Sequence, residues 1–350
     1  MLSRFAGPAT DTDCLNMTTK GLDFIGIGAV KAGTTSLFEY LRTHPELCLP
    51  AAKEQPFFTV DRVFFRGWEE YARYAFLGAP AGRPWGKVTP QYLGGPVVWQ
   101  QGTMRQARES PELVIPRRIA ALFPEVKLIL LLRDPVERAI SHYWLGVMWG
   151  QEHRPLDEAI RESLTPSALE EARIAPGATT SYVTAGEYGR LLGGYLSVFP
   201  RSQLFIASTD ALARDPAGVL RSLWGFLGVD GDHVPPNLDV RYGARSSRRR
   251  FQRLDPQRLP RLVRRAPVLR DVWNGLPGGL RERVRARYRA ARYRINLWNR
   301  GDAQENEPPD PEMLELLRAH YRDDLARLAE LEGPLEGVTV SVSRTTDVER

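Results

Sequence analysis

Apolar runs of strand length alternate along this chain with segments whose apolar residues recur every three to four positions. Runs at positions 22–28, 47–49, 86–89, 126–132 and 203–208 read as strands, each followed by turn or helix-start chemistry. Positions 34–42, 116–123, 135–149, 188–198 and 216–227 carry helical periodicity. Such alternation predicts an α/β fold, three-layer α/β/α with a central mostly parallel sheet and ligands at the carboxyl ends of its strands. An amphipathic helix is expected at 311–331, after an acidic, proline-containing stretch at 301–310, and no internal repeat is visible. The expected organisation is a flexible leader over 1–20, one domain over 21–331 and a loose tail over 332–350. Segment 151–180, read as helices and a loop, is long enough to roof a ligand site.

The first strand leads into the most informative stretch, Gly26-Ile27-Gly28-Ala29-Val30-Lys31-Ala32-Gly33-Thr34-Thr35-Ser36-Leu37. A strand, a glycine turn and a helix start aim backbone N–H groups at an anion. In the common nucleotide-hydrolase loop a lysine follows the last glycine, and the hydroxyl after it holds Mg²⁺. Here Lys31 precedes Gly33 by two residues and Thr34 follows that glycine. The loop can cradle a phosphate, but the usual grip on a metal-bound γ-phosphate is not encoded.

Three further segments carry chemistry. In Lys127-Leu128-Ile129-Leu130-Leu131-Leu132-Arg133-Asp134-Pro135, a buried strand delivers Arg133 at its end, Asp134 can cap the next helix and Pro135 suits its first turn. Ser141 follows Arg133 by eight residues, about two turns into that helix, so a guanidinium and a hydroxyl can converge on one anion. The competing arrangement pairs Arg133 with Glu137. In Lys53-Glu54-Gln55-Pro56-Phe57-Phe58 a carboxylate between a lysine and an aromatic stretch can be tuned as a general base, although most Lys-Glu pairs are solvated surface. Trp85-Gly86-Lys87-Val88-Thr89-Pro90-Gln91-Tyr92 puts a lone lysine on a short strand, where an edge-strand lysine is the plain alternative.

In this order and spacing the segments resemble the sulfotransferases that use 3′-phosphoadenosine-5′-phosphosulfate (PAPS), above all the branch with the heparan sulfate sulfotransferases and their bacterial relatives. The resemblance spans roughly residues 20–250. It implies a P-loop-type nucleotide-binding fold in which Lys31, Ala32, Gly33, Thr34, Thr35 and Ser36 hold the 5′-phosphosulfate and Arg133 and Ser141 grip the 3′-phosphate. It further implies Glu54 as the base that takes the proton of an acceptor hydroxyl, with Lys87 and Lys31 stabilising charge on the bridging oxygen, and no metal. A last donor loop corresponds to Arg241-Tyr242-Gly243-Ala244-Arg245-Ser246-Ser247, with Arg245 the first candidate to close over the 3′-phosphate and Arg241 the second. The segment departs from the family pattern at Gln55-Pro56 and at Val88, which separates Lys87 from Thr89; both departures fall near the acceptor. His44 is a second candidate base, since histidine serves in the steroid and phenol branch; its place before Pro45, like that of His142 beside Ser141, fits a structural role.

Composition narrows the partners. Of 48 basic residues only five are lysines, so Lys31, Lys53 and Lys87 stand out in an arginine background. Positions 241–300 hold 19 arginines against three acidic residues, interleaved with Trp273, Tyr288, Tyr293 and Trp298. That stripe fits solvated helices, an anionic acceptor or an anionic membrane surface, with nucleic acid the least favoured partner. The first 20 residues lack a signal-peptide core, the longest aliphatic run falls well short of the about 20 residues a membrane span needs, and two cysteines give no disulfide framework. A cytoplasmic enzyme acting on a hydroxylated acceptor is therefore expected. An ATP-dependent kinase-like transferase on the same loop is the alternative, disfavoured because Arg133 stands where a second carboxylate for Mg²⁺ is expected.

Overall fold

The computed structural model describes residues 20–80, 82–95, 97, 111–240, 242 and 308–332. Apart from Lys20, Tyr242 and Glu332, the expected leader, the arginine stripe with Arg241 and Arg245, and the tail lie outside the described residues. Four parallel strands, β1 (Phe24–Gly28), β2 (Gly86–Val88), β3 (Lys127–Leu132) and β4 (Leu204–Ser208), form one sheet in the order β2-β1-β3-β4. The expected strand at 47–49 is reduced to an isolated bridge between Cys48 and Trp85. Pro50 follows directly, and a proline ends a ladder by withholding its N–H.

Helices follow the strands. They are α1 (Thr34–Leu41), α2 (Asp61–Phe64), α3 (Trp68–Ala75), α4 (Pro111–Leu122), α5 (Pro135–Met148), α6 (Leu156–Ser163), α7 (Pro166–Ile174), α8 (Tyr188–Leu196), α9 (Thr209–Arg214), α10 (Pro216–Leu227) and α11 (Pro311–Glu332). Both faces of the sheet are covered, so β1 is buried throughout and β3 from its second residue on, which is why they read as continuous apolar runs. Gly86 is required where β2 meets β1: a Cβ there would lie 2.0 Å from the Phe24 ring. The expected cap at α5 is present, Asp134 Oδ1 accepting from Glu137 N at 2.9 Å.

One cluster of buried apolar residues fills the sheet layers and extends into an aromatic group of Phe57, Phe58, Trp68 and Phe123. A second joins the outer face of α5 to α6 and α11 through Ile140, Tyr143, Ile160, Met313, Leu317 and Tyr321. Segment 151–180 accordingly forms α6 and α7 against α5. The helix α11 also fastens α8, because Asp324 accepts from the backbone N–H groups of Gly189 (2.8 Å) and Arg190 (2.9 Å) at its start. Among the described residues no helix is long and apolar enough to cross a membrane.

Candidate active site

The loop between β1 and α1 crosses the carboxyl ends of the strands. Lys31 (φ 69°) and Gly33 (φ 84°) both take left-handed backbone, which turns the chain tightly enough to bring the start of α1 beneath it. Thr209, the first residue of α9, holds the loop from behind: its hydroxyl lies 3.0 Å from Ala32 O and 2.9 Å from Leu132 O. Thr209→Val should cost about 1 kcal/mol, the usual worth of such a bond, read as a lower thermal midpoint.

At the start of α1, Thr34 and Ser36 are buried and Thr35 is half-buried. Lys53 Nζ donates to Thr34 Oγ1 and Thr35 Oγ1, each at 3.2 Å, and to Glu54 Oε1 at 2.7 Å. Glu54 Oε2 accepts from Gln91 Nε2 at 3.3 Å, and 38% of its side chain is exposed, so the carboxylate opens to solvent. Burial pushes its pKa up, but the charge and hydrogen bond of Lys53, the Gln91 amide and the charge of Lys31 outweigh it and hold the carboxyl below its ordinary range. The Lys31 charge also acts on His142 of α5, whose pKa is carried down to about 3 by burial first, then by Arg138 and Lys31. His142 is thus neutral, one of its ring nitrogens 3.3 Å from the Arg138 guanidinium, in the structural role expected of it. His44 likewise sits in structure, Nε2 3.0 Å from Asp230 O and its ring against Trp224 and His233.

Glu54 takes left-handed backbone (φ 61°), which a residue with a side chain adopts only when neighbours impose it. Glu54 N donates to Val88 O at 3.3 Å, and Gln55 O accepts from Tyr71 OH at 3.3 Å and from Lys87 Nζ at 2.7 Å.

Lys87, expected to stabilise charge on the bridging oxygen, packs against Tyr71 of α3 and Tyr92. Its ammonium is buried, bonded to the Tyr71 and Tyr92 hydroxyls (both 2.8 Å) and lying over both rings. Side chains alternate across a strand, and with Val88 inserted before Thr89 the lysine falls on the face toward α3. Burial lowers its pKa well below the ordinary lysine value. The unfolded chain then binds that proton more tightly, so stability should rise with pH toward the unfolded lysine value. Lys87→Met should remove this slope and cost about 1–3 kcal/mol by removing the Nζ bonds to the Gln55 carbonyl and both phenols, which leaves Gln55 O with Tyr71 OH and Tyr92 OH with the Phe57 N–H, read in urea titrations at neutral and alkaline pH.

Arg133 leaves the end of β3 half-buried and pairs with Glu137, Nη2 to Oε2 2.6 Å, the competing arrangement considered above. Ser141 is buried farther along α5. Ser36 Oγ engages the backbone of Tyr242, accepting from its N–H at 3.1 Å and lying 3.4 Å from its carbonyl oxygen. The segment expected to close over the donor is therefore stitched to α1 at Tyr242, while Arg245 lies outside the described residues. Lys31, Lys53, Glu54 and the hydroxyls of α1 come together; Lys87 does not join them. The residue left unassigned from sequence is Lys53, whose scarcity as a lysine was the available signal, and nothing local marked Gln91 or Thr209. Among the described residues there is no cluster of His, Cys, Asp and Glu that could hold a metal ion.

The mouse heparan sulfate glucosamine 3-O-sulfotransferase 3B1 is 34% identical over 204 residues, covering 58% of this chain and 45% of that protein. The human heparan sulfate glucosamine 3-O-sulfotransferase 6 is 32% identical over 207 residues, covering 58% and 51%. The chain spans about half the length of these curated relatives. In fold it resembles the crystal structure of a sulfotransferase from Alicyclobacillus acidocaldarius, with a TM-score of 0.57 at 23% identity over 90% of this chain and 96% of that one. The sulfotransferase domain family model matches residues 22–240, a span containing the loop from Gly28 to Gly33, Glu54, Arg133 and Ser141, and the chain belongs to that family.

Proposed function

We propose that this protein is a PAPS-dependent sulfotransferase that moves a sulfuryl group to an acceptor hydroxyl, with Glu54 as general base. The observation that carries the proposal is the Lys53 ammonium, which touches both the hydroxyls of the anion-cradling helix start and the Glu54 carboxylate. The donor set fits the group: Gly33 at the helix start, two hydroxyls and two lysines suit a 5′-phosphosulfate, and Arg133 is exposed enough to exchange Glu137 for a 3′-phosphate. When bound, PAPS supplies the activated sulfuryl group.

The chain's own residues would do the rest. The Thr34 and Thr35 hydroxyls, Lys31 and the amides of α1 would hold the 5′ end, and Arg133 and Ser141 the 3′ end. Glu54, ionised and open to solvent, would accept the acceptor hydroxyl's proton as its oxygen becomes nucleophilic. Lys31 would stabilise negative charge growing beside the loop. Lys87 would act indirectly, holding the Gln55 carbonyl and with it the left-handed turn that presents Glu54. The relatives' names make a carbohydrate hydroxyl the first acceptor to try.

The test offers purified protein radiolabelled PAPS and a panel of hydroxylated acceptors, heparan-type oligosaccharides, phenols and lipid alcohols among them. The expected result is label on at least one acceptor, abolished by Glu54→Gln. Label transferred equally by the Glu54→Gln protein would overturn Glu54 as base, and binding of ATP with Mg²⁺ in place of PAPS would point to a kinase.

A further inference from the structure

Lys53 is the one lysine of the cluster that the residue roles above leave unexplained. Its side chain is 13% exposed and its ammonium's three bonds are divided between two functions, two to the helix hydroxyls and one to the carboxylate. A threonine hydroxyl that accepts from an ammonium has its own hydrogen free, and polarisation by the positive charge makes it a stronger donor toward an anion. The same positive charge, 2.7 Å from Glu54 Oε1, stabilises the ionised carboxylate.

We propose that Lys53 is a positioning residue that couples donor binding to the basicity of Glu54. An anion held by Thr34 and Thr35 and the Glu54 carboxylate draw on one ammonium. Charge committed to the anion is withdrawn from the carboxylate, so anion binding raises the proton affinity of Glu54. By linkage, protonation of Glu54 tightens anion binding by the same factor. The consequence for catalysis is direct: a carboxylate stabilised by a neighbouring ammonium is a weaker base, and its basicity rises when donor occupies the loop. The other groups facing Glu54 are Lys31, a second positive charge from the donor loop, and the neutral Gln91 amide from the turn after β2. Lys31 belongs to the same loop and adds to the coupling in the same direction; Gln91 does not titrate.

The inference rests on the PAPS reading and is tested with adenosine 3′,5′-bisphosphate, which carries both phosphates without the sulfuryl group. Its binding to the full chain is measured by titration calorimetry at mildly acidic pH in buffers of different ionisation enthalpy, which reports protons taken up. Because the phosphates themselves titrate, the quantity of interest is the uptake by wild type minus that by Glu54→Gln. The expected result is a positive Glu54-dependent uptake in wild type, its loss in Lys53→Met, a reduction in Thr35→Val and its return in Lys53→Arg. Affinity in Lys53→Met should fall about tenfold, the scale of one charge-assisted hydrogen bond. Equal Glu54-dependent uptake in wild type and Lys53→Met, or none in wild type despite tight binding, would overturn the coupling and leave the donor reading intact. Failure of wild type to bind the bisphosphate would overturn both. A loss of fold in Lys53→Met, seen as a lowered thermal midpoint, transfers the comparison to Thr35→Val, where unchanged uptake overturns the proposal.

Discussion

Glu54→Gln is expected to lower kcat by about 10²–10⁴-fold, the usual contribution of a positioned general base, while leaving affinity for adenosine 3′,5′-bisphosphate within a few-fold of wild type. The amide keeps the shape and can still accept from Lys53, so the left-handed turn, fastened through Val88 O and the Gln55 carbonyl, has no reason to move. The loss should therefore appear in turnover rather than in donor binding. The pH dependence follows from the carboxylate's depressed pKa: in kcat/KM for the donor, which reports the free enzyme, the acidic limb belongs below the ordinary carboxylate range. Activity should persist into mildly acidic conditions and then fall. Comparable kcat in the variant would mean that the acceptor proton leaves by another route.

The second large effect is on stability, away from the site. Glu187, at the start of α8, is buried and receives Arg173 from α7 at 2.6 Å, Arg190 from α8 at 2.6 Å and His320 from α11 at 3.1 Å. Three helices distant in sequence thus meet on one carboxylate. Burial pushes its pKa up, but the hydrogen bonds of His320 and Arg173 and the charge of Arg190 carry it down to about 2. Glu187→Gln removes the carboxylate charge that faces both guanidiniums, leaving Arg190 with Glu112 at 3.7 Å, and a loss of about 3 kcal/mol is expected, the scale on which breaking a buried pair destabilises a fold. Because the folded pKa lies below the unfolded one, the contribution is fully present above the unfolded carboxyl value and disappears as pH falls toward about 2. Urea titrations should show a wide gap between the two proteins at neutral pH that narrows under acid conditions.

Much of the frame was legible because it depends on local chemistry. The loop from Gly28 to Ser36 announces itself through glycine spacing and hydroxyls, and Asp134-Pro135 marks a helix start that the structure forms with the expected cap. The apolar runs of β1, β3 and β4 could be read because burial on both faces leaves them no polar alternation. Helix α4 begins at Pro111, ahead of the expected Pro116, which sits inside it. Either proline suits a first turn, and sequence alone offers no choice between them. The short helices α2, α3 and α9 lacked a period long enough to read.

Side-chain direction was harder. The spacing of Lys87 and Thr89 across Val88 was visible, but whether the lysine faced Glu54 or the tyrosines depended on which face of β2 meets α3. The Lys53 contacts depend on a loop crossing over α1 from about twenty residues away, which no local pattern encodes. Thr209 closes the loop between β1 and α1 from beyond β4, a contact that exists only because β3 and β4 are neighbours in the sheet.

The proposed function has the loop and the Arg133 segment grip a nucleotide phosphorylated at both its 5′ and 3′ positions. It is tested most directly by thermal stabilisation of the full chain with adenosine 3′,5′-bisphosphate, adenosine 5′-monophosphate and ATP with Mg²⁺ at matched concentrations, since a ligand bound to the folded state raises the midpoint in proportion to its affinity. The largest rise is expected with the bisphosphate, and in Arg133→Ala that rise is expected to shrink to the monophosphate level. A larger rise with ATP and Mg²⁺ than with the bisphosphate would contradict it.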